Sequence, residues 1–134
     1  MAQRPGDDKA EQPAATVCVI AYNSGPTLRA CLERLGAQTF RDFETLVIDN
    51  ASPDPGDAAI AAEFPVVRLI RNAANLGFTG AGNQAAREAR GRWLVLLNPD
   101  AYPEPDWLAA LMATAGRHPQ VASFTSRQLV AEEP

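Results

Sequence analysis

Thr16-Val17-Cys18-Val19-Ile20-Ala21 is short, β-branched and apolar on both of its faces. A strand reads this way when helices cover both sides of the sheet it belongs to, so the stretch predicts a central parallel strand. Tyr22-Asn23-Ser24-Gly25-Pro26 breaks it, with Pro26 placed for the first turn of a helix. Leu28, Cys31, Leu32 and Leu35 then recur at helical spacing, and Gly36 can end the helix.

The same alternation continues along the chain. Phe43 to Ile48 is a second strand, closed by Asp49-Asn50-Ala51-Ser52-Pro53-Asp54. A short alanine-rich helix from Asp57 to Glu63 stops before Pro65, and Val66 to Ile70 is a third strand. Residues 72–83 read as a Gly- and Asn-rich loop that runs into a helix from Gln84 to Arg90, with Gly91 as its C-cap. Trp93 to Leu97 is the fourth strand. Asp106 to Ala115 is a helix with Trp107, Leu108, Leu111 and Met112 on its apolar face, and Val121 to Thr125 is a fifth strand. The fold class is α/β, a mostly parallel sheet with helices on both faces and right-handed crossovers. Residues 1–14, polar and without period, read as a disordered tail, and residues 15–134 as one domain.

The 134 residues suffice to bury a core, and 46% apolar with 21% charged residues is ordinary for a globular protein. A net charge of −4 argues against nucleic acid as the main partner. Arg68, Arg71, Arg87, Arg90 and Arg92 leave room for a small phosphorylated ligand. No apolar run approaches a membrane span, and the N-terminus is polar, which points to the cytoplasm. Cys18 falls in a buried strand and Cys31 on a helix's apolar face; both read as reduced core residues. His118, at a helix end, reads as a cap rather than a base.

Under this topology the loops after strands one, two and four share one edge of the sheet, where open α/β sheets bind ligands. They carry Tyr22 and Asn23, Asp49 and Asp54, and Asn98 and Asp100. Asp49 either hydrogen-bonds its own turn or accepts from a ligand, such as a pyrimidine ring N–H or a ribose hydroxyl. Asn98-Pro99-Asp100 ends the fourth strand. It is either a strand-ending turn or a rigidly held carboxylate that suits a divalent cation and a phosphate. Gly80-Ala81-Gly82-Asn83-Gln84-Ala85 matches a dinucleotide fingerprint but does not follow the first strand, which argues against a dehydrogenase. Neither a P-loop nor a Gly-x-Ser-x-Gly elbow is present. A nucleotidyltransferase would need a basic glycine-rich loop after the first strand, and Tyr22 to Pro26 holds no Lys or Arg.

Four stretches, TVCVIAYNSGPTLRACLERLGAQTF, FETLVIDNASPD, NLGFTGAGNQAAREARGRWLVLLNPDA and PEPDWLAAL, together resemble the family 2 glycosyltransferases of the GT-A fold. The last three resemble the rhamnosyltransferase-type branch, and the resemblance spans about residues 15 to 130. It implies an inverting transfer of a sugar from a nucleotide-diphosphate sugar, with dTDP-rhamnose as the family-level donor. The acceptor would be a hydroxyl of a glycan or lipid-linked glycan in cell-surface polysaccharide synthesis.

By that resemblance Ala21, Tyr22 and Asn23 form the first nucleotide-binding loop, and Asp49 contacts the base. Asn83 flanks the pyrophosphate and sugar, and Asn98 and Asp100 occupy the Asp-x-Asp position. Asp100 would bind Mg²⁺ or Mn²⁺, and Asn98 in place of the first Asp removes one charge from that site. The family's catalytic base is a carboxylate in the second half of the domain, so it is expected beyond Pro134. The chain is then expected to be a truncated, donor-binding half, working in the cytoplasm or at the inner membrane face. The alternative is a non-catalytic nucleotide-binding fragment.

Overall fold

A computed structural model describes residues 12–53 and 56–130. Four strands, β1 (Ala15–Ala21), β2 (Phe43–Asp49), β3 (Val67–Arg71) and β4 (Trp93–Leu97), alternate with four helices. These are α1 (Pro26–Gly36), α2 (Gly56–Ala62), α3 (Gly77–Glu88) and α4 (Trp107–Arg117). All strand pairings are parallel, in the order β3-β2-β1-β4. The expected α/β sheet with central β1 is therefore present.

Side-chain alternation divides the sheet into two faces. Val17, Val19, Ala21, Val47, Val67, Leu69, Val95 and Leu97 pack with Leu28, Cys31, Leu32 and Leu35 of α1, Ala61 of α2 and Leu108 of α4. Cys18, Ile20, Leu46, Ile48, Ile70 and Leu94 pack with Ala81 and Ala85 of α3. Alanines at both α3 positions let that helix sit close to the sheet. Both cysteines are buried free thiols, as expected, and burial pushes each up to about 12.

Three expectations change. α3 begins at Gly77, so the supposed loop up to Asn83 contains two turns of helix, despite glycines at 77, 80 and 82. Tertiary hydrogen bonds to Leu76 and Gly77, described below, override the poor helix propensity. Gly91 is not the C-cap, because α3 ends at Glu88 with Ala89 extended beyond it. A Cβ on Gly91 would lie 2.3 Å from the carbonyl carbon of Ala15, so the glycine is required by the close approach of β1. Finally, Val121 to Thr125 forms no strand. Phe124 instead packs edge-on against Trp93, 5.7 Å between ring centres, and side-chain contact replaces a backbone ladder.

Of the expected disordered tail, residues 1–11 lie outside the described residues. Pro13 and Ala14 are tied down: Ala14 N donates to Asp42 O, Arg92 N to Pro13 O and Trp93 N to Ala14 O. The amino edge of the sheet also holds a closed polar cluster. Thr16 Oγ1 donates to Glu44 Oε1 at 2.7 Å, and Arg68 donates to both Glu44 oxygens at 3.1 and 3.3 Å. The Arg90 amide donates to Glu44 Oε1 and the Gly91 amide to Thr16 Oγ1, each at 2.9 Å.

Candidate nucleotide-binding edge

Because all four strands run parallel, their carboxyl ends share one edge. In the register Ala21 pairs with Asp49, Asp49 pairs with Arg71, and Val19 pairs with Leu97. The chain runs from β1 outward through β2 to β3, then returns to place β4 on the other side of β1. That reversal puts a crevice between the loops after β1 and β4, the usual ligand position in such sheets. β2 and β4 flank β1, so at one strand spacing each their ends lie ~10 Å apart. An elongated ligand could reach from Asp49 to the segment after β4.

The loop after β1 is set from below. Asn23 holds φ at +49° and Gly25 at +58°, positive values that asparagine and glycine adopt more readily than other residues. The buried Asp57 carboxylate accepts from the Ser24 amide at 2.9 Å and the Gly25 amide at 3.0 Å. Ser52 Oγ accepts from the Asn23 amide at 2.9 Å and donates to Asp57 at 3.1 Å. The backbone curls around these acceptors, while Tyr22 stays 54% exposed above the crevice. The sequence reading passed over Ser52 and Asp57; the available signal was an acidic residue opening an otherwise alanine-rich helix.

Asp49 is fully buried at the end of β2. Its Oδ1 accepts from the Ser52 amide at 2.9 Å, which is the turn-holding role open to it from sequence. Its Oδ2 is buried without a hydrogen-bond partner. Arg71 Nε stands 3.6 Å from Oδ2, within ion-pair range but too far for a hydrogen bond. Such an oxygen carries an unmet demand for a donor.

Asn98 and Asp100 follow β4 and are both exposed. The Asn98 carbonyl receives the Cys31 thiol at 3.7 Å, which fastens the start of this segment to α1. Its far end is held by Gln38, a buried side chain also missed from sequence. Gln38 Nε2 donates to Glu104 O at 2.8 Å, its Oε1 accepts from the Leu108 amide at 3.1 Å, and Thr39 N donates to Pro105 O at 2.8 Å. An open cleft of about 1040 Å³ borders Asn98, Asp100, Tyr102 and Trp107. Asn83 lies on an exposed part of α3, six residues from its start, or ~9 Å along the helix axis. The structure thus brings Ala21, Tyr22, Asn23, Asp49, Asn98 and Asp100 to one edge, with Asn83 exposed on α3 next to Gln84, whose side chain bonds to Asn72 at the exit of β3.

Among the described residues no group of three or more His, Cys, Asp or Glu could hold a metal ion. Asp100 is a single exposed carboxylate beside the Asn98 amide. That set fits a cation that arrives with phosphate oxygens supplying most of its ligands, as Mg²⁺ commonly does, and does not fit an all-protein cage. His118 lies at the C-cap of α4, as expected. Among the described residues no helix is long and apolar enough to cross a membrane.

The sequence profile of Glycosyl transferase family 2 matches residues 16–133. The succinoglycan biosynthesis protein ExoO of Rhizobium meliloti is 38% identical over 112 residues, covering 83% of this chain and 32% of that protein. An N-acetylglucosaminyl-diphospho-decaprenol L-rhamnosyltransferase of Mycobacterium tuberculosis is 31% identical, covering 81% and 39%. Among solved structures, S. aureus TarS in complex with UDP superposes with a TM-score of 0.70 at 25% identity, covering 78% of this chain and 32% of that one. The mannosyltransferase PcManGT of Pyrobaculum calidifontis, in complex with GDP-Man and Mn²⁺, gives 0.67 at 30% identity, covering 77% and 32%. The chain spans roughly a third of the length of these relatives.

Proposed function

The chain belongs to glycosyl transferase family 2, and from that premise we propose that its carboxyl edge binds a pyrimidine nucleoside-diphosphate sugar for transfer to a hydroxyl acceptor. The observation that carries the reading is the buried, unsatisfied Oδ2 of Asp49. With Oδ1 committed to Ser52, the carboxylate offers one acceptor atom. Uracil and thymine each present one ring N–H between two carbonyls, whereas guanine presents an N–H and an amino group side by side. Arg71, half-exposed and 3.6 Å from Oδ2, borders the position such a donor would take.

From a base at Asp49 the ribose passes the Ala21–Asn23 backbone, and the diphosphate reaches Asn98 and Asp100 across β1. Asp100 would hold a divalent cation there, which when bound neutralises the negative charge of the diphosphate leaving group. Asn98 offers a neutral oxygen beside it, and Asn83 approaches the donor from α3. The acceptor hydroxyl, giving up its proton to a base outside this chain, attacks the anomeric carbon in line, and the nucleoside diphosphate departs with inversion there. The relatives in succinoglycan and decaprenol-linked rhamnose synthesis support a glycan or lipid-linked glycan acceptor and a rhamnose donor.

Titration calorimetry with UDP, dTDP and GDP, with and without Mg²⁺ or Mn²⁺, tests the reading. UDP or dTDP binding more tightly than GDP supports it, and absence of pyrimidine nucleotide binding overturns it. Donor hydrolysis measured on the same samples separates a catalytic chain from one that only binds.

A further inference from the structure

The alternation that turns Asp49 toward α1 and α2 turns its neighbour Asn50 toward α3. Asn50 is buried and its carboxamide is fully used. Oδ1 accepts from the Leu76 amide at 2.9 Å and from Asn72 Nδ2 at 3.2 Å. Nδ2 donates to Asn75 Oδ1 at 2.9 Å and to Gly77 O at 3.3 Å. Asn72 in turn forms a reciprocal amide pair with Gln84, both bonds 2.8 Å. On the main chain, Asn50 N donates to Ala21 O and Asn72 N to Asp49 O. One connected set of amides therefore joins the exits of β1, β2 and β3 to the start of α3.

We infer that the carboxamides of Asn50, Asn72 and Gln84 are positioning residues for the nucleotide site. They fix the exit of β3, and with it Arg71, and the first turn of α3 relative to Asp49. The inference rests on the nucleotide-binding reading above. The body of α3 is already attached to the sheet through Ala81 and Ala85, so the amides are not needed merely to dock the helix. Asn50 acts at its start, where Gly77 sits at φ +70° and Leu76 and Phe78 are exposed, and where packing alone would leave the first turn free to fray, while the Asn72–Gln84 pair sets the β3 exit against the middle of the helix. Amides also impose direction, because each donor must meet an acceptor at short range, whereas apolar packing tolerates sliding.

The test measures UDP and dTDP affinity by calorimetry on the full chain beside urea unfolding of the same variants. Asn50→Ala and Gln84→Ala each lose about tenfold in affinity, the effect of one to two misplaced hydrogen bonds. Arg68→Ala opens the polar cluster at the amino edge; it lowers stability by a similar amount and leaves affinity unchanged. The exchange Asn72→Gln with Gln84→Asn preserves two facing carboxamides of the same combined length, and it restores affinity that either change alone removes. If Asn50→Ala does not fold, Gln84→Ala and the exchanged pair decide the question, since Gln84 is only half-buried. Affinity that follows stability across all variants, Arg68→Ala included, overturns the inference, as does full affinity in Gln84→Ala. Failure of the unaltered chain to bind either nucleotide removes the underlying reading instead, and the two failures are distinct in the same experiment.

Discussion

The two ends of the sheet treat their carboxylates differently. At the amino edge Glu44 receives Thr16, Arg68 and the Arg90 amide, and both of its oxygens are occupied. At the carboxyl edge Asp49 is more deeply buried, yet Oδ2 is left with no hydrogen bond. A closed cluster is a device for stability, because every group taken from water finds a partner within the fold. An open one gives up stability, and a ligand that supplies the missing donor recovers it. The polar residues at the two ends are alike; what separates them is which valences the fold leaves unused.

The largest effect expected is at the closed end. Gly91→Ala forces a Cβ into the Ala15 backbone and is expected to cost about 3 kcal/mol or more in urea unfolding. Asp49→Asn tests the open end. It keeps an acceptor for Ser52 and turns an amino group toward the ligand. UDP affinity is expected to fall by about 2 kcal/mol, roughly thirtyfold, with stability changed by less than about 1 kcal/mol. CDP, whose ring nitrogen is an acceptor, should then bind better than UDP, and unchanged nucleotide preference would break the contrast between the two ends. Asp100→Ala is expected to abolish the metal dependence of nucleotide binding, a loss of about tenfold, and Asn98→Ala to weaken it less. Equal metal-dependent binding by the unaltered chain and Asp100→Ala would remove the metal from this edge.

The smallest effect is a pH dependence that belongs to the closed end alone. Burial by itself would raise the Glu44 carboxyl, but hydrogen bonds from Thr16, Arg68 and the Arg90 amide outweigh it and leave the group below the usual carboxylate range. Its contribution to stability is therefore complete above about pH 4.3, where the unfolded carboxyl is ionised, and is lost as pH falls through the folded value. Glu44→Gln should lower stability at neutral pH by about 1 kcal/mol, flatten this acid limb, and leave nucleotide affinity unchanged.

The strands were legible because burial on both faces leaves a plain mark, near-continuous apolar residues in runs such as Thr16 to Ala21. α1 was legible from Leu28, Cys31, Leu32 and Leu35, all of which are buried. The first turns of α3 were not, since Gly77, Gly80 and Gly82 read as loop and the bond that caps them comes from Asn50, 26 residues away. Val121 to Thr125 shows the converse, a β-branched stretch that forms no ladder. The site followed the same division. Asp49, Asn98 and Asp100 announce themselves at strand ends, and Asp57 shows only as the acidic residue opening an alanine-rich helix, whereas Gln38 and the Asn50 cluster act through long-range bonds that carry no local sequence mark.

The curled backbone from Asn23 to Gly25 has a further consequence for the speed of recognition. Asp57 and Ser52 hold it in its course through bonds made within the fold itself. The conformational entropy of that loop is thus given up when the chain folds, rather than when a nucleotide arrives. On the proposed reading a nucleotide meets a loop that is already ordered, so ordering of this loop adds no step to the encounter.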